Sequence, residues 1–161
     1  MSTDREISLT VNGEQVTARV ESRKSLVDFL REQLGLTGSH VGCEHGVCGA
    51  CTVRVNGEIV RGCLTLAAQA DGARVDTIEG VSDSGEIAAL QKAFLARNAL
   101  QCGFCTPGIL LTSAALLKEN PAPTREEIRE YLSGNYCRCT GYQSIVDAVE
   151  AAAQTMRGTG R

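Results

Sequence analysis

The sequence reads Gln101-Cys102-Gly103-Phe104-Cys105-Thr106-Pro107-Gly108 and, further along, Asn135-Tyr136-Cys137-Arg138-Cys139-Thr140-Gly141, and these two stretches decide the fold. Each is a glycine-containing turn with two thiols, set between segments of helical period. A Cys-x-x-Cys pair at the mouth of a helix places two sulfurs beside unpaired backbone N–H groups, which stabilise negative charge. The two stretches together therefore suit a metal centre held by thiolates.

The composition indicates two small domains that need added stabilisation. The chain has 161 residues, no Trp, three Phe and three Tyr. Two aromatic-poor cores of about 80 residues each would be marginally stable without a cross-link or a bound metal. The eight cysteines can supply that added stabilisation. The formal charge of −3 and the absence of basic runs argue against a nucleic-acid partner.

No segment has the pattern of a signal peptide or of a membrane span. The first residues are polar and carry both signs of charge. The longest mostly apolar run, near residues 108–117, is shorter than the roughly 20 residues that cross a bilayer. We therefore expect a cytoplasmic chain, and in a reducing compartment cysteines are more often metal ligands than disulfides.

Residues 1–80 have the pattern of a small α+β domain. The predicted strands cover residues 7–11, 15–20, 52–55, 58–60 and 74–78. Asn-Gly pairs beginning at Asn12 and Asn56 predict two hairpin turns. Between the hairpins, Ser25 is placed to cap one helix, and Gly35 is placed to end it.

Residues 81–161 change to helical period and predict a four-helix domain. The helices are marked by Ile87, Leu90 and Phe94; by Leu110, Leu111, Ala114 and Leu117; by Ile128, Tyr131 and Leu132; and by Ile145, Val149, Ala152 and Met156. Thr124 with Glu127 forms a capping box before the third helix. Each of the two helix–loop–helix units carries one cysteine pair in its loop, and we place the domain boundary near residues 80–85.

Four cysteines in the first half have the spacing of a plant-type [2Fe–2S] site. They are Cys43, Cys48, Cys51 and Cys63. Gly42, Gly46 and Gly49 can take positive φ and let backbone N–H groups approach a cluster. The alternatives are a structural zinc site and an incidental thiol cluster, although three cysteines in one wrapping loop favour iron–sulfur. Since four cysteines complete the ligand set, we interpret His40 and His45 as loop residues.

The spacing of the second set of cysteines does not by itself identify the kind of metal site. It consists of Cys102, Cys105, Cys137 and Cys139. Such a set can also hold zinc, and its Cys-x-x-Cys pair could be a redox-active dithiol, although the βαβ context of that motif is missing. A second complete quartet in the same chain favours a second cluster. Because no nucleotide-binding or nucleophile motif occurs, the residues themselves point to electron transfer without a catalytic site.

Three motifs resemble those of the iron–sulfur small subunit of the xanthine oxidase family of molybdenum hydroxylases. They lie at residues 42–53, 101–108 and 137–142. The resemblance covers residues 7–153, and its one departure is Tyr136, where members commonly carry Leu. It implies a β-grasp, plant-ferredoxin-like domain at residues 1–80 and a four-helix-bundle domain at residues 81–161. Each domain would hold one [2Fe–2S] cluster, on the quartets named above.

The resemblance also implies a subunit that transfers electrons within an oxidoreductase. In the family, electrons pass from a molybdopterin centre through both clusters to FAD, and the C-terminal cluster lies nearest the molybdenum. Gln101 and Cys139 match positions that contact the pterin. The implied partners are a large molybdopterin-binding subunit and a medium FAD-binding subunit, in a dimer of heterotrimers. A free-standing two-cluster ferredoxin is the alternative, and the family's substrates are too varied for this chain to specify one.

Overall fold

The computed structural model describes residues 4–158, in which a five-stranded sheet is followed by a helical part. The strands are β1 (Asp4–Val11), β2 (Glu14–Glu21), β3 (Thr52–Val55), β4 (Glu58–Arg61) and β5 (Arg74–Asp76). Their order across the sheet is β2-β1-β5-β3-β4. β1 and β5 run parallel, and the other neighbours are antiparallel. The expected mixed fold, a sheet region followed by helices, is therefore confirmed.

Both predicted hairpin turns are present. Asn12 and Gly13 have φ of 51° and 86°, and Asn56 and Gly57 have φ of 52° and 93°. Positive φ at both central residues is the requirement of the tight turn whose twist matches that of two antiparallel strands. The first turn joins β1 to β2 and the second joins β3 to β4. The second hairpin matters for the site, because it carries cysteines just beyond both of its ends.

The helices are α1 (Leu26–Asp28), α2 (Ile78–Asp83), α3 (Ala88–Ala96), α4 (Thr106–Glu119), α5 (Arg125–Tyr131) and α6 (Gln143–Gly158). Short 3-10 turns lie at Ala67–Ala70 and Leu132–Gly134. The predicted capping box is present at α5, where the Thr124 hydroxyl accepts from the Glu127 N–H and the Glu127 carboxylate accepts from the Thr124 N–H. Among residues 4–158, no helix is long and apolar enough to cross a membrane.

The first helix differs from its prediction. Ser25 caps it as expected, since its hydroxyl accepts from the Asp28 N–H at 3.2 Å. After one α-helical turn, however, the chain continues as a π-helical turn over Phe29–Gln33. Phe29 and Leu30 are both fully buried there. Their packing against the sheet takes precedence over regular helical hydrogen bonding.

A short helix, α2, lies where the sequence predicted the end of a strand and a linker. β5 stops at Asp76, because the Thr77 N–H turns away to donate to the Asn12 side chain at 2.8 Å. Ile78 and Val81, one helical turn apart, then become buried in the core of the helical part. The prediction of a strand through residue 78 was therefore wrong by two residues.

Two hydrophobic clusters support the two parts of the fold. The sheet cluster is centred on Ile7, Leu9, Val53, Val75, Leu26 and Phe29. The helical cluster includes Ile87, Leu90, Phe94, Ile109, Leu111, Ile128, Ile145 and Val149. All of these positions except Ile109 are among those expected from the sequence period, whereas Met156, which was also expected, is 44% exposed. These buried positions lie on α3, α4, α5 and α6 or, for Ile87, at the residue before α3. Both cysteine sets are carried on loops and element ends that these clusters hold in place.

Candidate iron–sulfur centres

The first four cysteines surround one end of the β3–β4 hairpin. Cys43 and Cys48 lie on the long loop before β3. Cys51 immediately precedes β3 and Cys63 follows β4 by one residue. The register of the hairpin pairs Thr52 with Arg61, so the residues just beyond each strand come side by side. The structure thus brings together cysteines from positions that are up to 20 residues apart in sequence.

Glycines shape this loop in two different ways. Gly46 and Gly49 have φ of 81° and 74°, as expected. Gly42 is not among the residues with positive φ, so that part of the expectation was wrong. Its small size is what matters, because a Cβ at Gly42 would lie 3.1 Å from the Cys48 sulfur. The backbone is therefore able to approach the thiols closely.

The Cys43 thiol lies among backbone N–H groups. The Cys48 N–H donates to the Cys43 sulfur at 3.4 Å. This bond, followed by that from the His45 amide, lowers the pKa of Cys43 to about 6 from its ordinary value of 9.0. Hydrogen bonds to a thiolate favour the charged form. The loop is thus arranged to hold an anionic sulfur, which is the form that binds metal.

Cys51 is the buried member of the first set. It is 2% exposed, and desolvation raises the pKa of its thiol to about 11. A buried thiol beside a second thiol is costly to ionise unless a positive charge lies nearby. Iron bound between the two sulfurs would provide that charge.

The second four cysteines lie at the mouths of α4 and α6, as the motifs predicted. Cys102 lies in the loop after α3, and Cys105 is the residue immediately before α4. Cys137 and Cys139 lie in the loop between the 3-10 turn Leu132–Gly134 and α6. Gly103 has φ of 83°, which allows the tight turn between the first two thiols.

Each thiol on one loop has a neighbour on the other. The sulfurs of Cys102 and Cys139 lie 3.6 Å apart, and this contact raises the pKa of Cys139. Cys105 is half-buried, and desolvation, followed by its interaction with Cys137, raises its pKa to about 12. This cross-pairing favours shared ligation over a dithiol made of Cys102 and Cys105.

Cys137 is stabilised as a thiolate by its own turn. Burial raises its pKa, but hydrogen bonds from Thr140 outweigh that effect and the pKa is lowered overall. The Thr140 hydroxyl lies 3.1 Å from the Cys137 sulfur, and the Thr140 N–H lies 3.4 Å from it. The Cys137 N–H in turn donates to the Tyr142 hydroxyl at 2.8 Å. The turn therefore favours the thiolate form of Cys137 and restricts the position of its sulfur.

The paired arrangement fits a two-iron cluster. A tetrahedral ion with metal–sulfur bonds of about 2.3 Å separates two of its sulfurs by about 3.8 Å, close to the Cys102–Cys139 distance. Each iron of a [2Fe–2S] cluster takes two protein ligands. Among residues 4–158, no three His, Cys, Asp or Glu side chains are placed to hold one metal ion. The facing pairs Cys102 with Cys139 and Cys105 with Cys137 would give each iron of such a cluster two sulfurs.

The other predicted residues are placed near the second set. Gln101 is exposed beside the exposed Cys102 and Cys139. His40, interpreted as a loop residue, has a contact that the sequence did not indicate. Its ring stacks on Phe104 with centroids 4.6 Å apart, and its Nδ1 lies 2.9 Å from the Phe104 carbonyl oxygen. The first loop thus touches the motif that carries Cys102 and Cys105.

A buried polar contact also joins the two loops, and sequence reasoning missed it. Asn135 is 2% exposed and donates through Nδ2 to the Gly49 carbonyl oxygen at 3.2 Å. Its Oδ1 accepts from the Thr112 hydroxyl at 3.1 Å. Arg61 reaches across to donate to the Gly134 carbonyl oxygen at 2.7 Å. Nothing in the local pattern around Asn135 distinguishes it from a loop asparagine.

Comparison with known proteins agrees with this geometry. Residues 9–77 match the family described as 2Fe-2S iron-sulfur cluster binding domain, and residues 77–150 match the [2Fe-2S] binding domain. The chain is 56% identical over 144 residues to the nicotine 6-hydroxylase small subunit of Paenarthrobacter nicotinovorans, covering 89% of this chain and 87% of that protein. It belongs to the iron–sulfur small subunits of the xanthine oxidase family of molybdenum hydroxylases.

Other relatives of this small subunit cover the chain equally well. The caffeine dehydrogenase subunit gamma of Pseudomonas sp. (strain CBB1) is 52% identical, over 92% of this chain and 91% of that one. In quinoline 2-oxidoreductase from Pseudomonas putida 86, one solved chain superposes with a TM-score of 0.91 at 51% identity, covering 98% of both chains. Aldehyde oxidoreductase from Desulfovibrio gigas matches with a TM-score of 0.86 at 45% identity, but this chain spans 17% of it. The same fold thus occurs both as a chain of this size and within a longer polypeptide.

Proposed function

We propose that this small subunit passes electrons from a molybdopterin centre through two [2Fe–2S] clusters to FAD, with both of those cofactors on partner subunits. The observation that carries the proposal is the presence of two sets of four thiols, each arranged as two neighbouring pairs. Clusters on these sets would supply one-electron chemistry. The chain itself contributes ligands and their surroundings, and no catalytic residue is assigned to it.

Each proposed ligand set divides into two pairs of cysteines, one pair for each iron. Cys43 with Cys48 would hold one iron of the first cluster, and Cys51 with Cys63 would hold the other. In the second cluster the pairs are Cys102 with Cys139, and Cys105 with Cys137. Each cluster would therefore have one iron on a more exposed pair and one iron on a more buried pair. Burial and hydrogen bonds to sulfur are two of the main determinants of cluster potential.

We further propose two domains that divide as the sequence predicted. Residues 1–80 would form the β-grasp, ferredoxin-like domain, and residues 81–161 would form a four-helix bundle from α3, α4, α5 and α6. The two separate hydrophobic clusters support a division close to residue 80, with Ile78 already packed in the helical cluster. We also propose a cytoplasmic location, because all eight cysteines are free thiols and such thiols persist in reducing compartments.

The exposed side of the second set is the proposed docking face for the large, molybdopterin-binding subunit. Gln101 and Cys139 are exposed there, and we propose that both contact the pterin. Phe104, Tyr136 and Tyr142 also leave large apolar surfaces exposed around it. Large exposed apolar side chains near a proposed cofactor contact are consistent with a protein interface. A medium FAD-binding subunit and a dimer of heterotrimers complete the proposed assembly.

The names of the relatives suggest the first substrates to assay. Nicotine, caffeine, nicotinate and quinoline appear in the names of four of them, and all are nitrogen heterocycles. We propose this class for the large subunit that accompanies this chain.

The test is the iron content and spectrum of the complex purified with its partner subunits. We expect about four irons per copy of this chain and two distinct paramagnetic centres after reduction. Cys105→Ser should remove one centre and stop flavin reduction by substrate, while the neighbouring control Thr106→Ser should retain both. About two irons per copy, or one kind of centre in the wild-type complex, would contradict the proposal. A stable monomer that never associates with partners would favour a free-standing ferredoxin.

A further inference from the structure

The turn between Cys43 and Cys48 directs backbone N–H groups at one sulfur. The Cys48 N–H donates to the Cys43 sulfur at 3.4 Å. The backbone amides of His45 and Val47 also bond this sulfur. Hydrogen bonds to sulfur stabilise the negative charge that a cluster gains on reduction. The shape of this turn therefore matters for the cluster that the turn would help to hold.

This turn adopts a backbone shape that does not maintain itself. Residues 43–48 lie outside every helix and strand of the fold. Gly46 has φ of 81°, which glycine adopts readily, but Glu44 has φ of 58°, in the left-handed region that side chains disfavour. A residue holds such a conformation only where its surroundings impose it. We therefore looked for the contact that keeps the turn in place.

The Leu64 side chain lies directly against this turn. A Cβ at Gly46 would overlap the Leu64 Cδ1 atom and would lie 3.1 Å from its Cγ. Leu64 is nevertheless 62% exposed. A leucine that is this exposed adds little to a hydrophobic core, so burial alone does not explain its place. Its contact with the turn is the feature that the fold gives it.

Backbone hydrogen bonds fix the segment that carries Leu64. The Leu64 N–H donates to the Arg61 carbonyl oxygen at 3.0 Å. Thr65 donates to the same oxygen through its N–H at 3.2 Å and its hydroxyl at 3.1 Å. The Thr65 carbonyl oxygen accepts from the N–H of Leu26, a fully buried residue, at 2.7 Å. Leu64 is thus anchored to the sheet part of the fold and forms a firm support for the turn.

The contact joins two segments that carry ligands of the same proposed cluster. Leu64 directly follows Cys63, whereas Gly46 lies between Cys43 and Cys48. The Leu64 side chain therefore connects the end of the β3–β4 hairpin to the long loop before β3. An apolar group beside a metal site also restricts the access of water to that site.

We propose that Leu64 is a positioning residue for the first cluster, because its side chain holds the Gly46 turn in the shape that directs backbone amides at the Cys43 sulfur. This inference rests on the two-cluster function proposed above. Leu64 itself binds no iron. A fixed amide stabilises the reduced cluster better than water does, because water has to reorient around the added charge. Removal of the Leu64 side chain should therefore loosen the amides and lower the reduction potential of this cluster.

Three substitutions separate this role from a general effect on the fold. Leu64→Ala removes the contact, and it leaves no cavity in the core because the side chain is mostly exposed. Leu64→Met keeps an apolar chain of similar volume and should restore the wild-type behaviour. Leu95→Ala is the matched control, since Leu95 lies on α3 and is 69% exposed. All variants are prepared as the intact complex with partner subunits, and iron and flavin contents are measured first.

The first measurement is hydrogen exchange of the amides that bond the cluster. The complex is transferred to D₂O, reduced and frozen after set times, and ENDOR spectroscopy follows the exchangeable proton couplings of the N-terminal centre. This centre is the one that survives Cys105→Ser. We expect exchange to be severalfold faster in Leu64→Ala and to keep the wild-type rate in Leu64→Met and Leu95→Ala. An iron-replete Leu64→Ala complex that exchanges at the wild-type rate would overturn the proposal.

The second measurement is an EPR-monitored redox titration of both centres. We expect Leu64→Ala to shift the N-terminal centre to lower potential and to leave the C-terminal centre unchanged. An unchanged or raised potential would count against the proposal. So would loss of flavin with both centres unaltered, because Leu64 would then be a contact for a partner subunit. If Leu64→Ala loses iron, the same two measurements are made on Leu64→Val. A wild-type complex with a single centre would instead refute the two-cluster function itself.

Discussion

Gly108→Ala is the substitution whose effect follows most directly from the packing between the two loops. The added methyl group would overlap the Gly49 carbonyl oxygen and lie 3.3 Å from the Asn135 Nδ2. The obstacle is backbone, which cannot rotate away as a flexible side chain would. The change therefore has to separate α4 from the loop that carries Cys48 and Cys51.

The magnitude is the difference between two opposing effects. Alanine in place of glycine inside a helix stabilises by about 1 kcal/mol. Overpacking of a close contact costs about 1–3 kcal/mol, and more when backbone must move. Because the obstacle here is backbone, we take the upper part of that range, about 2–3 kcal/mol, and expect a net destabilisation of about 1–2 kcal/mol. For a chain of this size, that lowers the midpoint of thermal unfolding by roughly 2–8 °C.

The assay is thermal loss of the visible cluster absorbance in the intact complex, at one fixed heating rate because unfolding of such assemblies is often irreversible. The matched control is Gly158→Ala at the end of α6, where a Cβ would meet nothing within 4 Å. We expect the control to match or slightly exceed the wild-type midpoint. A Gly108→Ala complex as stable as this control would refute the inference that α4 and the first loop are in unyielding contact.

Two further predictions concern charge. Arg54 donates two hydrogen bonds to Glu86 and thereby lowers the pKa of that carboxyl group. Because the Glu86 side chain is 46% exposed, solvent screens this ion pair. Glu86→Gln should therefore reduce the free energy of unfolding by only about 0.5 kcal/mol at neutral pH. Because the pKa of Glu86 is lower in the folded state, the stability difference between wild type and Glu86→Gln is lost as pH falls below about 4. Denaturant midpoints of the two proteins that differ by the same amount at pH 7 and at pH 3 would contradict this prediction. Thr140→Val removes a hydroxyl bond to the Cys137 sulfur worth about 0.5–1 kcal/mol to the reduced cluster, and should lower the potential of one centre by roughly 20–40 mV in an EPR-monitored titration. An unchanged potential with full iron content would show that the hydroxyl does not bond the bound sulfur.

Local rules predicted much of this chain correctly. The Asn-Gly turns at Asn12 and Asn56 need positive φ, which their own residue types permit. The Ser25 cap and the Thr124 capping box depend on side chains three residues apart. The cysteine motifs of the second half likewise predicted turns before two helices, and the structure has them before α4 and α6. All of these features depend on residues that are close together in sequence.

Long-range packing decided the rest. Residues that are distant in sequence set the end of β5 at Asp76, because Asn12 binds Thr77 and turns the chain into α2. The pairing of Cys102 with Cys139 across 37 positions, and the buried amide of Asn135 against Gly49 across 86, depend on how α4 packs on the first loop. Spacing in the sequence identifies which thiols can bind metal. Only the tertiary fold determines which thiols lie close together and how the two cysteine loops are joined, because those distances are set by contacts between segments that are distant in sequence.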